Sequence, residues 1–116
     1  MLFICYPRCT TCQKARKWLD DNGFRYELRD IKTENPTAVE IEKWYAASGL
    51  PLKKFFNTSG NAYKDLKLKD KLSDMSENEQ IKLLATDGML VKRPILVSDG
   101  FVLVGFRQEE WEKKLL

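Results

Sequence analysis

Near its start the chain reads LFICYPRCTTC (residues 2–12), an apolar run followed by a Pro-Arg break and a pair of cysteines. The apolar residues 2–6 predict a buried strand, and the helical pattern over residues 13–22 predicts an amphipathic helix. A Cys-x-x-Cys pair at a strand-to-helix junction is typical of thiol–disulfide redox chemistry. We therefore expect Cys9 and Cys12 to carry the chemistry of the chain.

Length and composition are those of an ordinary globular protein. The 116 residues, 43% apolar and 32% charged, suit one domain with its own core, spanning residues 1–116. The net charge of +3 is too small to predict nucleic-acid binding. No apolar run approaches the roughly 20 residues of a membrane span, and no secretory signal is visible. We expect a cytoplasmic protein that binds neither nucleic acid directly nor a membrane.

The titratable residues favour reactive thiols over a metal site. The chain has three cysteines and no histidine. An odd number of cysteines, two of them too close together to staple a fold, indicates a reducing compartment. A tetrahedral zinc site needs four ligands, and only Cys5, Cys9 and Cys12 offer soft ones. The sequence therefore predicts no metal and no cofactor.

Helix and strand signals continue along the chain. Residues 24–31 alternate apolar and charged side chains and predict a second strand, with Leu28 on its apolar face. Two capping boxes each predict a helix that ends at a glycine. They are Thr37 with Glu40, whose helix runs to Gly49, and Ser76 with Glu79, whose helix runs to Gly88.

The last third of the chain carries a hairpin signal. Asp99-Gly100 lies between the runs 95–98 and 101–104, and a short amphipathic helix over residues 108–116 follows. The first two strands, joined by a helix, should be parallel. These elements predict an α/β fold, a thioredoxin-like four-stranded mixed sheet flanked by helices, with a helical insertion over residues 37–88.

Cys9 lies where a helix N-terminus would stabilise its thiolate. Unpaired backbone N–H groups and the helix dipole lower the pKa of a thiol at this position, and Arg8 adds a positive charge. Thr10 and Thr11 have hydroxyls that are able to donate to a sulfur anion. Cys12 lies one turn deeper, so we expect Cys9 to be the nucleophile and Cys12 the resolving thiol. The alternative is a pair of inert cysteines.

The third cysteine and the three tryptophans are expected in the core. Cys5 lies in the middle of an apolar strand, and free cysteine is among the most buried residue types. Trp18, Trp44 and Trp111 occupy apolar positions of predicted helices, so we expect them to be buried.

Lys92-Arg93-Pro94-Ile95 is a second candidate site. A proline before a strand can adopt the cis form, and in a thioredoxin-like fold it faces the cysteine pair. Pro94 would then shape the site, and Arg93 would bind an oxyanion through two donors. The alternative is a strand-initiating proline beside solvated basic residues. Arg107 either reaches the same site or is solvated, and residues 57–60 form either a loop over the site or a plain connection.

Together these motifs resemble the arsenate reductase/Spx superfamily of the thioredoxin-like fold. The resemblance covers nearly the full length, and the combination is far more specific than the cysteine pair alone. The matching segments are CTTCQKA (residues 9–15), FFNTSG (55–60) with Tyr63-Lys64, GMLVKRPI (88–95) and VGF (104–106).

The resemblance implies roles for individual residues. In the glutaredoxin-linked arsenate reductases, the first cysteine of the motif attacks arsenate and arginines hold the oxyanion. Cys9 matches that nucleophile, Arg93 matches the arginine before the proline, and Arg107 approximately matches the one after the hairpin. The family's third arginine falls at or near Asn57, where this chain departs from the pattern. Cys12 implies an internal disulfide with Cys9, reduced by thioredoxin or by glutaredoxin with glutathione.

The Spx branch implies a different function. Its members bind the C-terminal domain of the RNA polymerase α-subunit and use the Cys-x-x-Cys disulfide as an oxidative switch. They generally carry a longer C-terminal tail than this chain, which ends at Leu116. The first hypothesis is therefore a thiol–disulfide oxidoreductase acting on arsenate, another oxyanion or a disulfide, and the alternative is a redox-sensing regulator. A third option is a thioredoxin-fold domain whose disulfide forms only under stress.

Overall fold

Four short strands form one mixed sheet in the computed structural model, which describes residues 1–116. They are β1 (Leu2–Cys5), β2 (Glu27–Asp30), β3 (Ile95–Ser98) and β4 (Phe101–Val104). The order across the sheet is β2-β1-β3-β4, with β1 parallel to β2, β3 antiparallel to β1 and β4 antiparallel to β3. The predicted fold class, the parallel first pair and the hairpin are confirmed.

Six helices, joined in part by 3-10 turns, cover the sheet. None of them is both long and apolar enough to cross a membrane. The 3-10 turns span residues 52–55, 72–74 and 88–90. The helices are α1 (Thr10–Asp21), α2 (Ala38–Ser48), α3 (Asn61–Asp65), α4 (Leu68–Lys71), α5 (Glu77–Leu84) and α6 (Gln108–Leu115).

Strand alternation divides the core between the two faces of the sheet. Phe3 and Cys5 pack on the face covered by α1 and α6, whereas Ile4 packs on the face covered by the helices of the insertion. The tryptophans are buried as predicted, two on the first face and one on the second. They are Trp18, Trp111 and Trp44.

Both capping boxes are confirmed. The N–H of Glu40 donates to the Thr37 hydroxyl at 3.1 Å, and the N–H of Thr37 donates to the Glu40 carboxylate at 3.0 Å. Ser76 and Glu79 make the same reciprocal pair at 3.1 and 3.2 Å. The two boxes begin α2 and α5, and α2 ends at Gly49, whose φ of 68° is left-handed.

The limits of α1 and β2 differ from the prediction. Helix α1 begins at Thr10 rather than at residue 13, because Cys9 takes an extended cap conformation with φ −80° and ψ 124°. Strand β2 is shorter than the predicted 24–31, and Leu28 is 43% exposed rather than on a buried face. The reason is that β2 is an edge strand that pairs only with β1.

Gly88 does not end α5, which ends at Leu84 with Ala85 as its C-cap. The glycine opens the last 3-10 turn and lies directly against β2's continuation at Ile31. A Cβ at position 88 would overlap the carbonyl oxygen of Ile31. A close approach of two backbones, and not a helix end, therefore requires this glycine.

Candidate active site

Cys9 is the N-cap of α1, in the loop that follows the carboxyl end of β1. Its N–H donates to the carbonyl of Tyr6 at 2.9 Å, and its own carbonyl accepts the N–H of Gln13 at 3.0 Å. The side-chain amide of Gln13 donates to the carbonyl of Pro7 at 2.9 Å. These bonds hold the loop against the first turn of the helix, so the sulfur lies at the helix N-terminus.

The pKa of Cys9 is lower than that of an ordinary thiol. Partial burial of the sulfur opposes this shift. The backbone N–H of Cys12, the Cys12 thiol, the guanidinium of Arg93 and the backbone N–H of Thr11 together outweigh it. A lowered pKa increases the thiolate fraction at neutral pH, which is what a nucleophilic cysteine requires.

The environment of Cys12 shifts its pKa in the opposite direction. Its side chain is 1% exposed, and its sulfur accepts the backbone N–H of Tyr6 at 3.3 Å. Interaction with the Cys5 thiol, burial and the neighbouring Cys9 sulfur raise the pKa of Cys12 far above its ordinary value. Cys9 is therefore the thiol of the pair that ionises first, and Cys12 keeps its proton.

Arg93 lies beside Cys9, and Pro94 follows it directly before β3. The peptide bond between them is cis, Pro94 is buried, and its carbonyl accepts the N–H of Gly105 at 2.8 Å. The guanidinium carbon of Arg93 lies 5.2 Å from the ring centroid of Tyr6, and its Nη1 is buried with no hydrogen-bond partner. Since Arg93 also interacts with the sulfur of Cys9, the site contains an unsatisfied cationic donor next to the thiolate.

The insertion holds the backbone that leads to Arg93. The N–H of Lys92 donates to the carbonyl of Phe55 at 2.8 Å, and the N–H of Asn57 donates to the carbonyl of Leu90 at 2.8 Å. The polar loop at residues 57–60 therefore begins beside the segment that enters β3. The side-chain oxygen of Asn57 accepts a hydrogen bond from within this loop, from Ser59 at 3.3 Å.

Three further candidates take less part in this arrangement. The side chains of Thr10 and Thr11 are exposed and their hydroxyls form no hydrogen bond, so Thr11 acts on the sulfur through its backbone N–H. Arg107 is exposed at the N-cap of α6, has no ion pair, and lines a surface cavity with residues of α6. The structure thus brings Cys9, Cys12 and Arg93 together and leaves Arg107 in solvent.

Sequence reasoning missed the neighbour of Cys12. Cys5 is 3% exposed, as expected of a core residue, but its thiol interacts with that of Cys12. This interaction lowers the pKa of Cys5 against the effect of burial. The available signal was strand alternation, because Cys5 shares its face of β1 with Phe3, and that face packs against α1.

Comparison with a family model and with solved structures agrees with this fold. A model of the ArsC family matches residues 5–114. The crystal structure of an ArsC-family-related protein from Bacteroides fragilis is 61% identical, with a TM-score of 0.95 over 97% of this chain and 94% of that one. A protein from Streptococcus mutans UA159, described as a possible arsenate reductase, is 48% identical, with a TM-score of 0.87 over 96% of both chains.

Sequence relatives extend over most of the chain as well. The protein YusI from Bacillus subtilis strain 168 is 48% identical over 113 residues, which are 97% of this chain and 96% of YusI. The global transcriptional regulator Spx 2 from Bacillus anthracis is 26% identical over 107 residues, which are 92% of this chain and 80% of the regulator. The family model and the close relative both span nearly the whole sequence, and the chain therefore belongs to the ArsC family.

Proposed function

We propose that this chain is a thiol–disulfide oxidoreductase of the cytoplasm that reduces arsenate, a related oxyanion or a disulfide. The observation that carries the proposal is the side chain of Arg93, which interacts with the sulfur of Cys9 and has a buried Nη1 without a hydrogen-bond partner. A buried charged donor without a partner costs free energy, and a bound anion would satisfy it. The same guanidinium stabilises the attacking thiolate, so one side chain supports both binding and attack.

The first step is attack of the Cys9 thiolate on the arsenic of a bound arsenate. A sulfur–arsenic bond forms, and one arsenate oxygen leaves as water after taking up protons. The negative charge of the sulfur passes to the oxygens of the adduct. Arg93 and the N–H groups of Thr11 and Cys12, which face the sulfur, lie where they can stabilise that charge.

The second step is attack of Cys12 on the sulfur of Cys9. A disulfide forms, the sulfur–arsenic bond breaks, and its electron pair remains on arsenic, which leaves as arsenite. The two thiols lose the two electrons that arsenic gains. Part of what raises the pKa of Cys12 is the neighbouring Cys9 sulfur, and this part falls away once that sulfur is covalently bound. Thioredoxin, or glutaredoxin with glutathione, then reduces the disulfide.

Arsenate turnover coupled to NADPH oxidation tests the proposal, with thioredoxin and its reductase in one assay and glutaredoxin with glutathione in another. We expect the rate to fall by about 100-fold or more in Cys9→Ser and in Arg93→Gln. Activity of Cys12→Ser that is lost with thioredoxin and kept with glutathione would assign the glutaredoxin-linked route. A small disulfide substrate is assayed in parallel. Turnover of neither substrate, or turnover that persists in Cys9→Ser, would overturn the proposal.

A redox-sensing regulator that binds RNA polymerase is the second candidate. It is supported by the identity shared with Spx 2 and by the Cys-x-x-Cys pair. Pulldown with the C-terminal domain of the polymerase α-subunit, with reduced and with oxidised protein, separates the two candidates. Retention in one redox state without turnover would favour the regulator, and absence of retention in both states would remove it.

A further inference from the structure

Three thiols, and not two, meet at the junction of β1 and α1. Cys12 interacts with the sulfur of Cys9 on its solvent side and with the sulfur of Cys5 on its core side. The backbone places the Cys12 sulfur next to the Cys5–Tyr6 peptide, because this sulfur lies 3.3 Å from the nitrogen of Tyr6, the atom bonded to the carbonyl carbon of Cys5. Cys5 and Cys12 are 3% and 1% exposed and belong to one buried cluster on the α1 face of the sheet.

We propose that Cys5 is a third redox residue, which takes over the disulfide from Cys9 and releases Cys9 as a free thiolate. The inference rests on the proposed function, because it begins from the Cys9–Cys12 disulfide. The Cys5 thiolate attacks the sulfur of Cys12, a Cys5–Cys12 bond forms, and the Cys9–Cys12 bond breaks with its electron pair on Cys9. One disulfide is lost and one is gained, the proton of Cys5 passes to solvent, and no external oxidant or reductant is consumed.

The environments of the outer sulfurs favour this direction. The backbone N–H groups of α1 and the guanidinium of Arg93 stabilise a thiolate at Cys9, and a Cys9–Cys12 disulfide forfeits that stabilisation. A Cys5–Cys12 disulfide restores it. A thiol that is stabilised as an anion is also the better leaving group in thiol–disulfide exchange. Near Cys5 the charge of Arg16 favours the attacking thiolate, and that of Asp30 opposes it.

The consequence is an oxidised protein that keeps its nucleophile. The disulfide is moved into the core, where both sulfurs are shielded from solvent. Cys9 and Arg93 stay together at the N-terminus of α1 in the form that binds an anion. The chain would then store two electron equivalents of oxidation while Cys9 remains able to attack again.

Trypsin makes the two disulfides distinguishable by mass. Cleavage after Arg8 and Lys14 yields MLFICYPR (residues 1–8) and CTTCQK (residues 9–14). A Cys9–Cys12 disulfide stays within the second peptide, whereas a disulfide to Cys5 links the two. The full-length protein is oxidised with stoichiometric diamide, held for about an hour to allow exchange, quenched with acid and mapped by mass spectrometry. Iodoacetamide labelling of a parallel sample measures free Cys9.

We expect most of the wild-type disulfide in the linked pair, with fragmentation placing it between Cys5 and Cys12, and Cys9 free to be alkylated. In Cys5→Ala and Cys5→Val the linked pair should vanish and Cys9 labelling of oxidised protein should fall by about tenfold or more. Unfolding curves of both variants verify that the fold is retained. In Cys9→Ser the linked pair should form far more slowly, because diamide reaches the two buried thiols only through Cys9.

Each other outcome contradicts the inference in its own way. A disulfide confined to residues 9–14 in the wild type overturns the role of Cys5 and leaves the proposed function intact. A link between Cys5 and Cys9, or equally fast linking in Cys9→Ser, also overturns it. Absence of any disulfide overturns both this inference and the resolving role of Cys12.

Discussion

The guanidinium of Arg93 lies beside the sulfur of Cys9 and lowers the pKa of its thiol, although the two residues belong to opposite halves of the chain. Replacing Arg93 by Gln removes this positive charge while keeping a polar side chain. We expect the pKa of Cys9 to rise toward its ordinary value, so that alkylation at neutral pH becomes slower. The pH dependence of iodoacetamide labelling measures the shift. The other two thiols are buried, so labelling reports Cys9.

Lys92→Gln is the matched control for that experiment. It removes the same unit of charge from the preceding, exposed residue, which takes no part in the interactions of Cys9. Its labelling profile should coincide with that of the wild type. If Lys92→Gln and Arg93→Gln shift the profile equally, the effect comes from net charge, and the specific role of Arg93 is wrong.

Gly88→Ala should be among the most destabilising single substitutions in the chain. The added Cβ would overlap the carbonyl oxygen of Ile31, which belongs to the backbone and not to a flexible side chain. We expect the free energy of unfolding to fall by more than about 4 kcal/mol, measured by urea titration. Gly23→Ala is the control, because Gly23 has a φ of 74° and no atom within 4 Å of the new Cβ. It should cost only about 1 kcal/mol, and equal losses at the two positions would contradict the overlap.

Local patterns explain what could be predicted from the sequence. The capping boxes at Thr37 and Ser76 depend on side chains three residues apart, so each is complete within one short segment. The Asp99-Gly100 turn is equally local. The cysteine pair at the start of α1 is likewise formed by residues adjacent in sequence.

What could not be predicted depends on contacts between distant segments. The exposure of Leu28 follows from the place of β2 at the sheet edge, which its own alternation does not reveal. The need for Gly88 comes from its approach to Ile31. The thiol contact between Cys5 and Cys12 depends on which face of β1 packs against α1. A periodic pattern gives the orientation of a side chain within its own element, but not the partner that it meets.

Trp111→Phe should lower the free energy of unfolding by more than the loss of buried apolar area alone would predict. The indole N–H of Trp111 donates to the carbonyl of Gly105 at 3.1 Å in a fully buried position, next to the loop that carries Arg107. Phenylalanine would leave that carbonyl without a partner, which costs about 1–3 kcal/mol. Trp44→Phe is the control, because Trp44 is also buried but its indole makes no hydrogen bond. Urea unfolding should show the larger loss for Trp111, and equal losses would contradict a stabilising role for the hydrogen bond.

The ion pair between Arg29 and Glu40 should make stability depend on acid pH. The guanidinium donates to both carboxylate oxygens at 2.6 and 2.9 Å, and it lowers the pKa of Glu40 to about 2 despite partial burial. The pKa of Glu40 is lower in the folded state than in the unfolded state. The ion pair's contribution to the free energy of unfolding is therefore complete above about pH 5 and is lost as the pH falls toward 2. Glu40→Gln keeps an acceptor for the Thr37 cap and removes only the charge.

We expect Glu40→Gln to lower the free energy of unfolding at pH 7 by about 1 kcal/mol, since a carboxylate that is 32% exposed is partly screened by solvent. The difference from the wild type should narrow steadily between pH 5 and pH 2 in urea titrations. Glu79→Gln is the matched control, because it changes the other capping box, where the carboxylate has no ion pair. A Glu40→Gln deficit that stays constant down to pH 2 would show that packing or capping, and not the charge of Glu40, stabilises the start of α2.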